Sequence, residues 1–209
     1  MANFLVVFDV DSTLINEEAI EVLADRVGVR AEVAAITDLA MRGEIDFSES
    51  LRRRVAMLEG LPESELQMVS QQLTLTRGAK RLVENIHSLG GKAAAVSGGF
   101  NQLLRGIKSD LGLDFVRAND LIIQDGKLTG QVAEPIIDRA AKANFLRELA
   151  SSLDLPLEKV MAVGDGANDI EMIQVAGKGV AFCAKPALKQ HADLIIENRD
   201  LAELIPYLN

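Results

Sequence analysis

Short apolar runs separated by long stretches of helical periodicity constrain this chain more than any other feature. Residues 4–8, 92–96, 160–163 and 179–182 are too short for buried helices and too continuously apolar for strands wetted on one face. They read as strands buried on both faces, and residues 193–196 supply another. Helical spacing fills the intervals: residues 79–89 are closed by Gly90-Gly91, and residues 139–153 are amphipathic. That rhythm predicts a doubly wound parallel sheet with helices on both faces, a Rossmann-like α/β core.

One long interval breaks the rhythm. Between residues 16 and 74 no strand is convincing, whereas Ala19, Ile20, Leu23, Ala24 and Val27 fall at helical spacing, as do Phe47, Leu51, Val55 and Leu58. Pro62, followed by acidic residues, starts a further helix. The expected organisation is an α/β core of residues 1–15 and 75–209 carrying an inserted helical cap, residues 16–74. Asp125-Gly126 lies between two short extended runs and predicts a β-hairpin over residues 121–130.

Bulk properties remove several classes of function. The net charge of −9 opposes association with nucleic acid or anionic membranes, and no apolar run approaches the roughly 18 residues of a membrane span. Arg52-Arg53-Arg54 is the only dense basic run, and a solvated helix face accounts for at least two of its members. Met1-Ala2-Asn3 opens no secretory leader, and Cys183, the single cysteine, excludes an intrachain disulfide, so a cytoplasmic location is expected. His87 and His191 are expected at the surface, and Cys183 as a small core side chain in a buried strand. Oligomeric state is left open.

Ligands of open α/β sheets sit beyond the carboxyl ends of the strands, so the residues just after each run carry the functional information. Asp9 and Asp11 follow the first run at a spacing that points both carboxylates the same way in extended chain. Ser97-Gly98-Gly99 follows the second, a hydroxyl beside glycine amides that suit a phosphate cradle. Lys142 lies in the helix entered near Asp138. Gly164-Asp165-Gly166-Ala167-Asn168-Asp169 follows the third, with two carboxylates able to complete an oxygen-rich site for a hard cation. Each has a plainer alternative: exposed turn aspartates, an ordinary loop, a solvated lysine, a helix cap.

In combination these motifs resemble the haloacid dehalogenase superfamily of phosphohydrolases, in order and over nearly the whole chain. The resemblance extends, through residues 9–18, Arg42-Gly43-Glu44-Ile45-Asp46-Phe47, Ser50 to Val55 and Ser97-Gly98-Gly99-Phe100, to members acting on O-phosphoserine. It implies a phosphatase with Asp9 as nucleophile and Asp11 as general acid and then base. Mg2+ would be held by Asp9, the Asp11 main-chain carbonyl and Asp165, with Asp169 orienting that shell. Ser97, Gly98 and Lys142 would bind the phosphoryl group, and Asn168 would reach the substrate or the intermediate. The partner is then a small phosphoamino acid: Glu18 would take its ammonium and Arg54 its carboxylate, with Met41 and Phe47 closing the site. Bacterial relatives often carry an additional amino-terminal segment, whereas this chain opens on the first strand. Rival readings are phosphoryl transfer from phosphoserine to homoserine, hydrolysis of another small phosphate ester, and a receiver-type signalling module that holds its phosphate.

Overall fold

The computed structural model describes residues 2–41 and 44–208. Six strands form one parallel sheet: β1 (Leu5–Phe8), β2 (Lys92–Phe100), β3 (Phe115–Asn119), β6 (Val160–Gly164), β7 (Lys178–Phe182) and β8 (Leu194–Ile196). Their order is β3-β2-β1-β6-β7-β8, so the chain leaves β1 toward one edge and later returns to its other side. The direction of winding thus reverses at β1, which opens a crevice beyond its carboxyl end. Leu5 to Phe8 pair with Lys92 to Ala95 on one side and with Val160 to Val163 on the other, without slippage.

Alternation along the strands sends side chains to opposite faces. Val6, Phe8, Ala93, Ala95, Met161 and Val163 join a core with α5 (Ala79–Ser88) and α6 (Asn101–Leu111). Leu5, Val7, Ala94, Val96, Val160 and Ala162 face the other way, onto α7 (Arg139–Ser152) and α8 (Ile170–Val175). Each fully buried leucine, isoleucine or phenylalanine here contributes about 1.5–3 kcal/mol. Packing along this second face is tight around Gly179 of β7, where an added Cβ would lie 2.5 Å from Ile173 Cγ2 and 2.7 Å from the Ile173 carbonyl oxygen.

Helices α1 (Ala19–Asp25), α2 (Arg30–Met41), α3 (Phe47–Ala56) and α4 (Glu63–Ser70) occupy the interval between β1 and β2. Its two ends run side by side: Ile15 and Leu75 form an antiparallel bridge, flanked by Asn16 N–H to Thr74 O (3.0 Å) and Thr76 N–H to Leu14 O (2.9 Å). Ile20, Leu23, Leu51, Val55, Leu58 and Val69 are buried and continuous with the core on the Phe8 face.

The predicted hairpin is β4 (Leu121–Gln124) and β5 (Lys127–Val132), turning on Asp125 and Gly126 with φ of 51° and 72°. Two consecutive positive φ values are what a type I′ turn demands. This hairpin is tied to the helical insertion by Gly60 N–H to Leu128 O (2.8 Å), Leu128 N–H to Leu61 O (2.9 Å) and Glu63 N–H to Gly126 O (2.8 Å).

The structure departs from the sequence reading at three points. Strand β3 was not anticipated, because this edge strand is only half-buried over its first three residues and lacks a continuous apolar run. Strand β2 continues past Val96 through the glycines to Phe100, with a register shift against β3 between those residues. Cys183 is not a buried strand residue: β7 ends at Phe182, and Cys183 turns the chain with φ 45°, half-buried, its thiol donating to the Glu197 carbonyl at 3.4 Å.

Gly179→Ala should lower stability by about 1–3 kcal/mol through overpacking of α8. Urea unfolding followed by circular dichroism should show a lower midpoint at unchanged slope; an unchanged midpoint would contradict the close β7–α8 contact.

Candidate active site

Asp9 leaves β1 in extended conformation, buried, its N–H bonded to the Val163 carbonyl at 2.8 Å. The chain then turns sharply on Ser12, a non-glycine residue at φ 57°. That conformation costs about 1–2 kcal/mol. It brings Asp11 to face the end of β2, so Asp11 Oδ1 accepts from Ala19 N–H (2.8 Å) and Oδ2 from Ser97 Oγ (3.2 Å). The Ser12 hydroxyl donates to Glu18 Oε1 at 2.7 Å. One turn therefore orients both the second aspartate and the glutamate.

Ser97 Oγ also accepts from Gly99 N–H at 2.7 Å. Both glycines at the end of β2 are crowded: a Cβ on Gly98 would lie 2.6 Å from the Phe47 ring, and one on Gly99 2.9 Å from Asp11 Oδ2, so a side chain at either would make that neighbour shift. Asn119, at the end of β3, ties this end of β2 down. Its amide donates to the Gly98 carbonyl (2.9 Å) and its oxygen accepts from Ile137 N–H (2.7 Å), just ahead of α7.

Asp138 caps α7, accepting from Ala141 N–H at 2.8 Å, and the first turn of the helix delivers Lys142 into the interior. Lys142 is fully buried and donates to Asp9 Oδ1 (2.5 Å) and Asp169 Oδ1 (2.7 Å). The other Asp169 oxygen accepts from the amides of Asp165 and Gly166, both at 3.1 Å. Gly164 leaves room for that carboxylate, since a Cβ there would be 2.5 Å from Asp169 Cγ.

Oxygens of Asp9, Asp165 and Asp169 lie within 4.8 Å of one another. Among the described residues, the cation that pairs with these buried carboxylates is Lys142. The imbalance appears in the acidities. Burial, reinforced by Asp169, pushes Asp9 up to about 7 although Lys142 opposes it. Burial raises Asp165 well above its ordinary value, with Asp9 adding to the effect. Asp11 is raised to about 6 by burial and then by Glu18. Lys142 itself stays cationic: burial works to lower it, but Asp169 and Asp9 outweigh burial and raise it. An all-oxygen donor set with surplus negative charge fits a hard divalent cation. Asp169 is less free to bind one, because Lys142 and two amides already engage its oxygens.

These residues open onto a cavity of about 350 Å³. Asp9, Asp11, Gly98, Asp165 and Asn168 line its core side, and Glu18, Phe47 and Arg54 line the helical side. Asn168 Oδ1 is buried without a hydrogen-bond partner among the described residues. Arg54 is buried, whereas Arg52 and Arg53 are exposed and paired with Glu134 and Glu49. Ser97, Lys142 and Asp169 are fully buried behind the cavity wall. Met41 ends α2, and its side chain falls outside the described residues. Ser12 and Asn119 were not singled out by sequence; Ser12 lies within the aspartate motif, whereas nothing around Asn119 signals its role.

The haloacid dehalogenase-like hydrolase family matches residues 6–174. Over 205 residues the chain is 50% identical to phosphoserine phosphatase SerB2 of Mycobacterium tuberculosis, covering 98% of this chain and 48% of that one, about half its length. It is 45% identical to phosphoserine phosphatase of Methanocaldococcus jannaschii, covering 98% and 97%. Among solved structures, a phospho-aspartyl intermediate analogue of phosphoserine phosphatase superposes with TM-score 0.96 at 44% identity, covering both chains completely. A substrate-bound phosphoserine phosphatase complex matches with the same values.

The carboxylate cluster generates a prediction about stability. Asp9 and Asp11 have folded-state pKa values of about 7 and about 6 against an ordinary 3.8, so the folded state binds protons more tightly than the unfolded chain. Stability from these groups is fully present below about pH 4 and is lost as pH rises through about 6 to 7. Metal-free protein should therefore melt at progressively lower temperature across that window, apart from general acid unfolding. A divalent cation at a hundred times its dissociation constant should restore about 2.7 kcal/mol at pH 7.5. Asp165→Asn should reduce that increment to below about 0.5 kcal/mol. Differential scanning fluorimetry with and without chelator reads all three; a metal increment undiminished in Asp165→Asn would remove that residue from the cation site.

Proposed function

Since the chain belongs to the haloacid dehalogenase-like hydrolases, we propose that it hydrolyses O-phosphoserine to serine and inorganic phosphate, carrying the phosphoryl group on Asp9 between the two steps. The observation that carries this reading is a single cavity with two chemically different walls. Asp9, Asp11 and Asp165 line one side, and Glu18 and Arg54 the other.

Attack on a phosphate monoester is slow because an anion must be approached by another anion, so charge neutralisation and in-line positioning dominate. The Asp9 carboxylate attacks phosphorus, forming an acyl-phosphate bond as the bond to the serine oxygen breaks. Asp11, at about 6, can be protonated near neutral pH and gives its proton to that departing oxygen. Left ionised, it then takes a proton from the water that attacks the phosphoryl group and regenerates Asp9. Ser97 Oγ bonds Asp11 in this structure; it, the Gly98 N–H and Lys142 are assigned to the phosphoryl oxygens.

Asp9, the Asp11 main-chain carbonyl and Asp165 would hold Mg2+, which supplies positive charge to the phosphoryl oxygens. Asp169 would orient this arrangement through the Asp165 and Gly166 amides. Residues 16–74 serve as the cap. Glu18 receives the substrate ammonium, and its carboxyl, raised by burial, would be drawn back to the ionised form by that cation. Arg54 receives the carboxylate, Asn168 reaches the substrate or intermediate, and Met41 and Phe47 close the site. The tip of the Phe47 ring occupies the space that a Cβ at Gly98 would need.

A charge-assisted contact at a partly buried site is worth about 1.5–3 kcal/mol, one to two powers of ten. Arg54→Ala and Glu18→Ala should each lower kcat/KM for phosphoserine by about 10–100-fold, and Arg54→Ala should leave p-nitrophenyl phosphate nearly unchanged. Arg52→Ala and Arg53→Ala, whose partners are surface carboxylates, serve as controls. Equal losses of Arg54→Ala on both substrates would make Arg54 a structural or phosphate-binding residue instead.

A further inference from the structure

Arg54 is a buried cation without an ion-pair partner among the described residues, and its position rests on weaker contacts. Nε donates to the Ser50 carbonyl at 3.3 Å, one turn back in the same helix, and Nη1 donates to Thr37 Oγ1 at 3.2 Å. The Phe47 ring lies 6.0 Å from the guanidinium carbon. Nη2 has no hydrogen-bond partner among the described residues, and the side chain lines the cavity. Burial lowers the pKa of this group, and the fields of Glu18, Asp11 and Glu21 oppose that. Such a side chain has several rotamers available, and fixing one on binding costs conformational entropy unless the protein has already fixed it.

Thr37 is suited to do so. It is buried in α2, lines the same cavity, and its hydroxyl donates to the Val33 carbonyl at 3.0 Å. A hydroxyl has one proton and two lone pairs, so a proton committed to Val33 leaves only acceptor capacity toward Arg54. β-Branching limits Thr37 to few χ1 states, which holds that acceptor still. The contact also joins α2 to α3 across the wall of the cavity.

We propose that Thr37 is the positioning residue for substrate selection: its hydroxyl fixes the Arg54 guanidinium so that the remaining N–H groups meet the substrate carboxylate. This rests on the assignment of that carboxylate to Arg54. Thr37 does not touch the reacting atoms, so its loss affects recognition of the amino-acid moiety and not the phosphoryl chemistry.

The test compares the parent with Thr37→Val, which keeps shape and removes the hydroxyl, and with Thr37→Ser, which restores it. Thr37→Ala is a second hydroxyl-free variant should valine disturb folding. Steady-state kinetics are measured on phosphoserine and on two esters without a carboxylate, phosphoethanolamine and p-nitrophenyl phosphate. Thr37→Val should raise KM for phosphoserine about tenfold with kcat within about twofold, and leave both other esters within about twofold. Thr37→Ser should recover to within about threefold of the parent. An equal rise on all three esters, or no rise on phosphoserine, overturns the proposal. Arg54→Ala run in parallel separates the two assignments. If it discriminates between the esters and Thr37→Val does not, Thr37 alone loses its role; if Arg54→Ala does not discriminate, both assignments fall.

Discussion

Lys142, fully buried between Asp9 and Asp169, is the contact on which the rest of the site depends. A lysine taken out of water costs several kcal/mol unless it is well paired, and removing one member of such a pair typically costs 3–5 kcal/mol. Here the pairing requires three segments to converge: the end of β1, the turn after β6 and the first turn of α7. The parallel sheet brings the first two together as neighbouring strands. Asn119 and the Asp138 cap bring the third. Asp169 then passes the constraint on, ordering the Asp165 and Gly166 amides with its second oxygen.

A single positive charge does not balance this group of carboxylates, and the residual repulsion makes the site chemically useful. Burial without full compensation keeps Asp11 near a pKa of about 6, where one carboxyl group can both give and take a proton. It also makes the cluster receptive to a cation. Asp11 is bonded at once to Ser97 of the core and to the Ala19 amide at the start of the helical interval, so the two sides of the cavity share a hydrogen-bonded residue.

Much of this was legible in the sequence, for reasons that individual residues make plain. Strands β1, β6 and β7 are buried on both faces and so announce themselves as apolar runs, and the polar residues after them could then be placed on one rim. Edge strand β3 could not be found this way, because half-exposed positions need no continuous hydrophobicity. Lys142 taken alone reads as a solvated lysine on an amphipathic helix; only its place among the other motifs identified it. Ser12, Thr37 and Asn119 act through side-chain contacts across 6, 17 and 21 or 18 positions respectively, and single polar residues carry no periodicity that could reveal such partners.

The proposed chemistry turns on Asp9 carrying the phosphoryl group. Rapid quenching during turnover of phosphoserine, reduction with borohydride and mass-spectrometric peptide mapping test it directly, since borohydride converts an aspartyl phosphate to homoserine. Homoserine should appear at position 9 in the parent protein and not in Asp9→Asn, which should also lose turnover by orders of magnitude. Reduction at another residue, or an Asp9→Asn variant that turns over at the parent rate, would contradict it.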